Sequence, residues 1–420
     1  MTLFHSPLLQ KPVTATLEIP GSKSYTNRAL LMAALTEEPV TLYNPLYSED
    51  TVAMVGCLRT LGIRIDTEPG YMIVYGDRGQ IQNRSYELFA HDSGTTIRFI
   101  LALLCLAPGT QIIRGSDRLS KRPIQDLVET LRLLGAQIEY LEKEGAAPLK
   151  VCSSRLYSGA EVTIDASVSS QFLSALLMIA PCLNGLTVQM QGKIISRPYV
   201  EMTLQAMRDW GISVAQIEEG RYFIPAGQHY TKKQYVIEGD FSSAGYFFAI
   251  AALTQSTLTL KNLAPDSAQA DRKFLNILAR MGNEMSWSDQ GITLVGKHIL
   301  PLTLDMEDCP DQVQTMAVLA AFARGVTRIS GVRSLRVKET ERVQALKKEL
   351  AKMGIQTEDT HNTLTIYGGE PRAATIDTYG DHRMAMAFAV AGTRLPGMQI
   401  RHPEVVNKTF PTFWSILRSL

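Results

Sequence analysis

The strongest constraint in this chain is a plan of two unlike helices that returns about every 70 to 75 residues, six times over. The first copy opens at Pro20-Gly21-Ser22-Lys23-Ser24-Tyr25-Thr26-Asn27-Arg28, which reads as a strand end, a turn and a capped helix with an apolar body from Ala29 to Leu35. Comparable stretches begin at Asp92-Ser93-Gly94-Thr95-Thr96-Ile97-Arg98, Ser167-Val168-Ser169-Ser170-Gln171, Gly239-Asp240-Phe241-Ser242-Ser243, Pro310-Asp311-Gln312 and Gly380-Asp381-His382-Arg383. A second marker keeps the same period. Amphipathic helices stop at Gly62, Gly135, Gly211, Gly282 and Gly354, each followed by an alternating strand-like run. The sixth such helix runs from Phe413 to Leu420.

The period is too long for an ordinary solenoid. Each unit reads as strand, apolar helix, strand, amphipathic helix, strand, strand. A helix that is apolar all round is buried, so six units suggest two groups of three, each around a bundle of buried helices. The class is α/β. We expect one three-repeat domain over 21–236 and a discontinuous second over 1–20 plus 237–420. If the buried helices of a group run parallel, their N-termini emerge together. Such ends attract anions through unpaired N–H groups and the helix dipole. Lys23 and Arg28 lie near such an end, where the dipole disfavours cations, and so suggest an anionic ligand. A cleft between two domains lined by such ends is the expected site.

The longest apolar runs, around Phe99 to Ala107 and Phe172 to Leu183, fall short of the roughly 18 residues a membrane span needs. Met1 to Gln10 lacks the marks of a secretory signal. The cysteines Cys57, Cys105, Cys152, Cys182 and Cys309 are scattered, which suggests reduced core residues of a cytoplasmic protein. No Cys/His spacing suggests zinc. A net charge of +1 argues against nucleic acid as a partner. Yet cations concentrate in the polar motifs, at Lys23, Arg28, Arg98, Lys121, Arg122, Arg197, Arg336, Lys338, Arg342, Arg383 and Lys408. That points to small, highly charged ligands. We expect a monomer with no nucleic-acid or membrane partner.

Arg122 precedes Pro123 at a helix entry, where a guanidinium can grip a carboxylate or phosphate with two parallel bonds. Ser169-Ser170-Gln171 offers more hydrogen-bonding groups than capping needs, and Ser196-Arg197-Pro198-Tyr199 joins a hydroxyl, a cation and a phenol. In Arg336-Val337-Lys338-Glu339-Thr340-Glu341-Arg342, alternation would put Arg336, Lys338 and Thr340 on one side and leave Glu339 flanked by cations. Asp311 stands at the start of a buried helix, where capping alone could explain it. Asp311 and Glu339 are the two carboxylates nominated for proton transfer. Asp381-His382-Arg383 combines a cap, a titratable group and a cation.

Taken in order, Pro20-Gly21-Ser22-Lys23-Ser24 with Asn27-Arg28, Ser93-Gly94-Thr95, Arg122-Pro123, Ser169-Ser170-Gln171, Arg336 to Arg342, Asp381-His382-Arg383-Met384-Ala385-Met386 and Lys408-Thr409-Phe410-Pro411 resemble the 5-enolpyruvylshikimate-3-phosphate (EPSP) synthase family. The resemblance implies a two-domain inside-out α/β barrel, each domain three βαβαββ units with buried parallel helices. It implies transfer of the enolpyruvyl group of phosphoenolpyruvate (PEP) to the 5-hydroxyl of shikimate-3-phosphate, with loss of phosphate and no metal or organic cofactor. By the same resemblance Lys23, Gly94, Arg122, Gln171, Arg342, Arg383 and Lys408 would hold PEP. Ser24, Arg28, Ser169, Ser170, Gln171, Ser196, Tyr199, Asp311, Ser334 and Lys338 would hold shikimate-3-phosphate. Asp311 would take the hydroxyl proton, Glu339 with Lys23 would manage the PEP methylene, and His382 would orient the acid. Glyphosate is the implied inhibitor at the PEP site.

Three positions depart from the family pattern. Asp92 replaces the usual Asn and is expected either to cap its own helix facing away or to be protonated. Ser334 replaces an Asn found in many members, and Arg197 replaces the commoner Lys. The sister transferase acting on UDP-N-acetylglucosamine usually carries a cysteine in a loop before the Arg122 equivalent, and residues 107–121 contain none. A non-catalytic anion-binding homologue is the remaining alternative, opposed by the presence of both Asp311 and Glu339.

Overall fold

The computed structural model describes every residue except Met1, Gly79, Ala166, Ser167 and residues 193–196. Ser167 and Ser196, both named above, therefore lie outside the described residues. The chain divides into two compact units, Gly21–Ile237 and Met1–Pro20 with Glu238–Leu420.

In the unit Gly21–Ile237 the helices are α1 (Lys23–Ala34), α2 (Glu49–Thr60), α3 (Gly94–Leu104), α4 (Gln125–Leu133), α5 (Ser170–Ile179) and α6 (Arg197–Asp209). The other unit carries α7 (Phe241–Thr254), α8 (Lys273–Arg280), α9 (Val313–Phe322), α10 (Arg342–Lys352), α11 (His382–Gly392) and α12 (Phe413–Arg418). Odd-numbered helices up to α11 are the apolar ones. Every residue of α3 and of α11 is buried. Even-numbered helices expose one side, as α10 does with Gln344 and Lys348 against buried Val343 and Leu346. Burying one large apolar side chain such as Phe247 of α7 stabilises by about 1.5–3 kcal/mol.

The apolar helices of a unit run parallel because their first turns meet. Gln171 Nε2 at the start of α5 donates to Thr95 Oγ1 at the start of α3 (3.1 Å). Gln312 Nε2, just before α9, donates to Phe241 and Ser242 carbonyls at the start of α7 (3.3 and 3.2 Å).

Around the helices lie small sheets of one recurring pattern. Tyr86–Phe89 pairs parallel with Thr110–Arg114, which pairs antiparallel with Leu149–Cys152, which pairs antiparallel with Gln137–Tyr140. This is the strand order of a βαβαββ unit, and four other sheets share it. Remote segments fill the gaps. Gln234–Val236 supplies the parallel strand beside Pro39–Tyr43, and Thr14–Glu18 does so beside Thr257–Lys261. Leu3–His5 pairs antiparallel with Gln399–Arg401 in the remaining, three-stranded sheet.

The glycine stops are alike in detail. Gly62, Gly135, Gly211, Gly282 and Gly354 all have φ between 81° and 101°. After each, the next N–H reaches a carbonyl five residues back, as Ile63 does to Leu58 and Ile355 to Leu350. A Cβ is strained in that left-handed conformation, so glycine closes each helix without penalty.

Candidate active site

The described members of the predicted set in Gly21–Ile237 lie at or near the starts of α1, α3, α5 and α6, with Arg122 just ahead of α4. Ser22 caps α1, accepting from Tyr25 N at 3.5 Å. Lys23 opens that helix with its ammonium 3.4 Å from Asp50 Oδ2 at the start of α2. Ser24 follows, half-buried. Arg28, one turn on, is fully buried and spread over Thr203 Oγ1 (2.8 Å), the Ser24 carbonyl (3.0 Å), the Tyr199 carbonyl (3.2 Å) and Ser174 Oγ (3.4 Å). Burial pulls its guanidinium down to about 10. It carries charge here without a carboxylate among those bonds, an arrangement suited to an incoming anion.

Ser93 caps α3 through Thr96 N (3.2 Å), which leaves Gly94 as its first residue. Over Gly94 lies the Arg122 guanidinium, so close that a Cβ there would fall 2.5 Å from Nη1. Asp92 does not cap the helix. Ser93 holds the extended capping geometry, and Asp92 Oδ1 instead accepts from Ser116 Oγ. Ser116 Oγ in turn accepts from Leu119 N (3.2 Å), so Asp92 helps tie down the loop that presents Arg122.

Pro123 also falls outside the first turn of its helix. Arg122 is extended, Ile124 breaks the path at φ −141°, and α4 starts at Gln125. The Pro123 carbonyl accepts from Arg98 Nη2 (3.0 Å), and Arg98 Nη1 donates to Gln171 Oε1 (2.6 Å). Arg98, in the basic inventory but outside the predicted site, thus braces Gln171 and the residue that follows Arg122. Ser169 caps α5 through Gln171 N (3.3 Å), buried Ser170 begins the helix, and Tyr199 lies in the first turn of α6.

The second cluster lies in the other unit, around Arg342, the first residue of α10. Its side chain is 1% exposed and binds three carboxylates: Asp381 (Nε to Oδ2, 2.8 Å), Asp311 (Nη1 to Oδ1, 3.0 Å) and Glu339 (Nη2 to Oε2, 2.9 Å). Burial alone would lower its proton affinity, but Asp381, Glu339 and Asp311 more than reverse that and raise it. Arg383 Nη2 reaches Asp311 Oδ2 (2.7 Å), and Nη1 reaches the Tyr246 hydroxyl (3.2 Å). Lys408 Nζ lies 3.4 Å from Glu339 Oε1. Asp311 and Glu339 keep 19% and 11% of their side-chain surface accessible, while Asp381 keeps none. The two proton-transfer candidates are therefore the reachable carboxylates of this cluster.

Two local readings are corrected here and one is upheld. Asp311 is not a cap, because it lies inside the 3-10 turn Pro310–Gln312, ahead of the α9 start at Val313, and faces two arginines. Asp381 does cap α11 through Arg383 N (2.9 Å). Arg336 does not flank Glu339. Residues Arg333–Val337 form a 3-10 turn, and Arg336 points from it to Asp359 and Glu341 (2.7 Å each). Glu339 has its cations from Arg342 and Lys408. Lys338 is half-buried beside it. Ser334 Oγ is buried without a hydrogen-bond partner among the described residues. His382 Nδ1 stands 3.8 Å from Asp381 Oδ1, too far for a hydrogen bond.

Sequence reasoning missed Asp50, Thr203, Ser174 and Tyr246, each of which meets a predicted cation from far along the chain. No local pattern marks them.

The family model described as EPSP synthase (3-phosphoshikimate 1-carboxyvinyltransferase) matches residues 9–417. A 3-phosphoshikimate 1-carboxyvinyltransferase of Syntrophobacter fumaroxidans is 42% identical over 413 residues, covering 97% of each chain. One from Nostoc punctiforme is 41% identical over 419 residues, covering 99% of this chain and 98% of its own. The structure of an EPSP synthase from Acinetobacter baumannii shares the fold at a TM-score of 0.82 and 24% identity, covering 99% of this chain and 97% of its own. With a match to the family model from residue 9 to residue 417, this chain belongs to the EPSP synthase family.

Proposed function

We propose that this protein is a 3-phosphoshikimate 1-carboxyvinyltransferase that joins the enolpyruvyl group of PEP to the 5-hydroxyl of shikimate-3-phosphate and releases phosphate. The observation that carries this reading is the shared grip of Arg342 on Asp311 and Glu339, with Arg383 and Lys408 on their outer oxygens. Two reachable carboxylates are held beside cations that suit a ligand bearing a phosphate and a carboxylate.

The chemistry follows from that pairing. Asp311 accepts the proton of the 5-hydroxyl as its oxygen bonds to C2 of PEP. Glu339, with Lys23, delivers a proton to the methylene carbon, giving a tetrahedral intermediate. In the second half the bond from C2 to the phosphate oxygen breaks, the methyl group returns its proton to Glu339, the proton held by Asp311 passes to the departing phosphate, and the enol ether and inorganic phosphate leave. Arg122, Arg342, Arg383 and Lys408 offset charge on PEP through this sequence. Gly94 and Gln171 complete the PEP set. Ser24, Arg28, Ser169, Ser170, Ser196, Tyr199, Ser334 and Lys338 hold shikimate-3-phosphate, and His382 orients the acid group. PEP anions that draw Arg342, Arg383 and Lys408 toward themselves leave Asp311 and Glu339 better able to take a proton. Binding and proton transfer are coupled in this way.

The enzyme works as a cytoplasmic monomer without metal or organic cofactor, and glyphosate competes with PEP. Among the described residues, no helix is long and apolar enough to cross a membrane. The test is phosphate release from PEP. Release that requires shikimate-3-phosphate supports the reading. Release that requires UDP-N-acetylglucosamine would transfer the protein to the sister activity, and none with either acceptor would leave an anion-binding homologue.

A further inference from the structure

Asp271 lies in the 3-10 turn Ala270–Arg272, ahead of α8, and is 3% exposed. Ser242 Oγ, from the first turn of α7, donates to its Oδ2. Its Oδ1 is buried with no hydrogen-bond partner among the described residues. An ionised carboxylate would leave that oxygen's charge unanswered, which is costly in a buried seat.

Arg342, Arg383 and Lys408 face Asp311, Glu339 and Asp381, three cations to three carboxylates. Ionised, Asp271 would add one more negative charge to a field already set by Asp311, Asp240 and Arg383. Cys309, whose thiol burial keeps neutral, also feels the Asp271 carboxyl, and Lys273, two residues on, pairs with Asp308. Burial first, and the Asp311 charge second, push the Asp271 carboxyl up to about 7.

A bonded path leads from Asp271 to Asp311. Ser242 holds Asp271 by its hydroxyl, and its carbonyl accepts from Gln312 Nε2 (3.2 Å), the residue after Asp311. Gln312 is seated on Gly245 of α7, where a Cβ would fall 2.3 Å from Gln312 Oε1.

We propose that Asp271 is a positioning residue for the transfer reaction: neutral, it anchors the hydroxyl of Ser242, whose carbonyl holds Gln312 beside Asp311, and ionised, it weakens the hold of Arg383 on anionic substrate. This rests on Asp311 and Arg383 acting on the substrates as described above.

The test compares kcat/KM for PEP in the wild type, Asp271→Asn and Ser242→Ala from about pH 5.5 to about pH 9. Substrate ionisations enter every profile equally, so differences isolate Asp271. The wild type should show a fall through neutral pH, on the order of tenfold, that Asp271→Asn lacks. Ser242→Ala removes a hydrogen bond that favours the ionised form, so it should move that fall to higher pH. An Asp271→Asn profile superimposable on the wild type would overturn the proposal. Should that variant fail to fold, an unmoved inflection in Ser242→Ala would overturn it equally. A merely structural role would lower the melting temperature and leave the inflection in place. Normal turnover in Asp311→Ala would instead sink the functional reading. An inactive Asp311→Ala beside an unchanged Asp271→Asn profile would remove only the role of Asp271.

Discussion

Gly94→Ala perturbs the contact between the start of α3 and Arg122. The new Cβ would stand 2.5 Å from Nη1, 2.8 Å from Cζ and 3.1 Å from Nη2 of that guanidinium. Ordinary contact begins near 3.4 Å, so the guanidinium must withdraw by about 1 Å. Only the far end of a flexible side chain has to move, so the backbone need not. Alanine at a helical position with ordinary φ gains up to about 1 kcal/mol over glycine. The melting temperature should therefore hold or rise slightly. Ligand affinity should not hold. A hydrogen bond to a charged group contributes roughly 1.5–3 kcal/mol, and losing one of a bidentate pair predicts a roughly 10- to 100-fold rise in KM for PEP. Glyphosate is longer than PEP and meets the same methyl, where overpacking costs roughly 1–3 kcal/mol more. Its inhibition constant should rise by at least about tenfold and by more than KM for PEP. Steady-state inhibition at several PEP concentrations, with a thermal melt of both proteins, measures all three quantities. An unchanged KM for PEP would refute Arg122 as a PEP grip. Equal fractional changes for the two ligands would refute discrimination by size. A fall of several degrees in melting temperature would show that the backbone yields in place of the guanidinium.

Asp311→Ala and Glu339→Ala should each lower kcat by on the order of 10² or more, with Asp311→Ala also weakening shikimate-3-phosphate in a titration; near-normal turnover in either removes that residue from the mechanism. Arg342→Gln leaves Asp381, Glu339 and Asp311 without their shared cation and should cost about 3–5 kcal/mol of stability in urea at neutral pH. An unchanged urea midpoint would contradict the pairing. Arg98→Lys cannot hold both the Gln171 side chain and the Pro123 carbonyl, so KM for PEP should rise severalfold with little change in kcat, and unchanged kinetics would show that Arg98 braces nothing the reaction uses.

The repeat was legible because its signals are local. A cap such as Ser93 and a stop such as Gly354 act on backbone groups within a few residues, so their pattern survives in the sequence whatever the topology does. Partners across the fold leave no such trace. Arg336 and Arg342 belong to one charged run, and by spacing alone either could serve Glu339. The 3-10 turn Arg333–Val337 points Arg336 at Asp359, while Arg342, first in α10, lies against the capping residue of α11. Six residues of chain separate a strut from the centre of the site, and the choice is made by which strand and helix the fold sets opposite. The same holds for carboxylates. Asp381 both caps a helix and binds Arg342 because its two oxygens face different neighbours. Asp311 has a cap's place in sequence, yet the turn Pro310–Gln312 moves the helix start beyond it and leaves its oxygens to arginines. Asp271, far from every motif, is joined to them by the Ser242 hydroxyl. A carboxylate's role in this protein follows from the donors the topology brings to it, and sequence position only narrows the field.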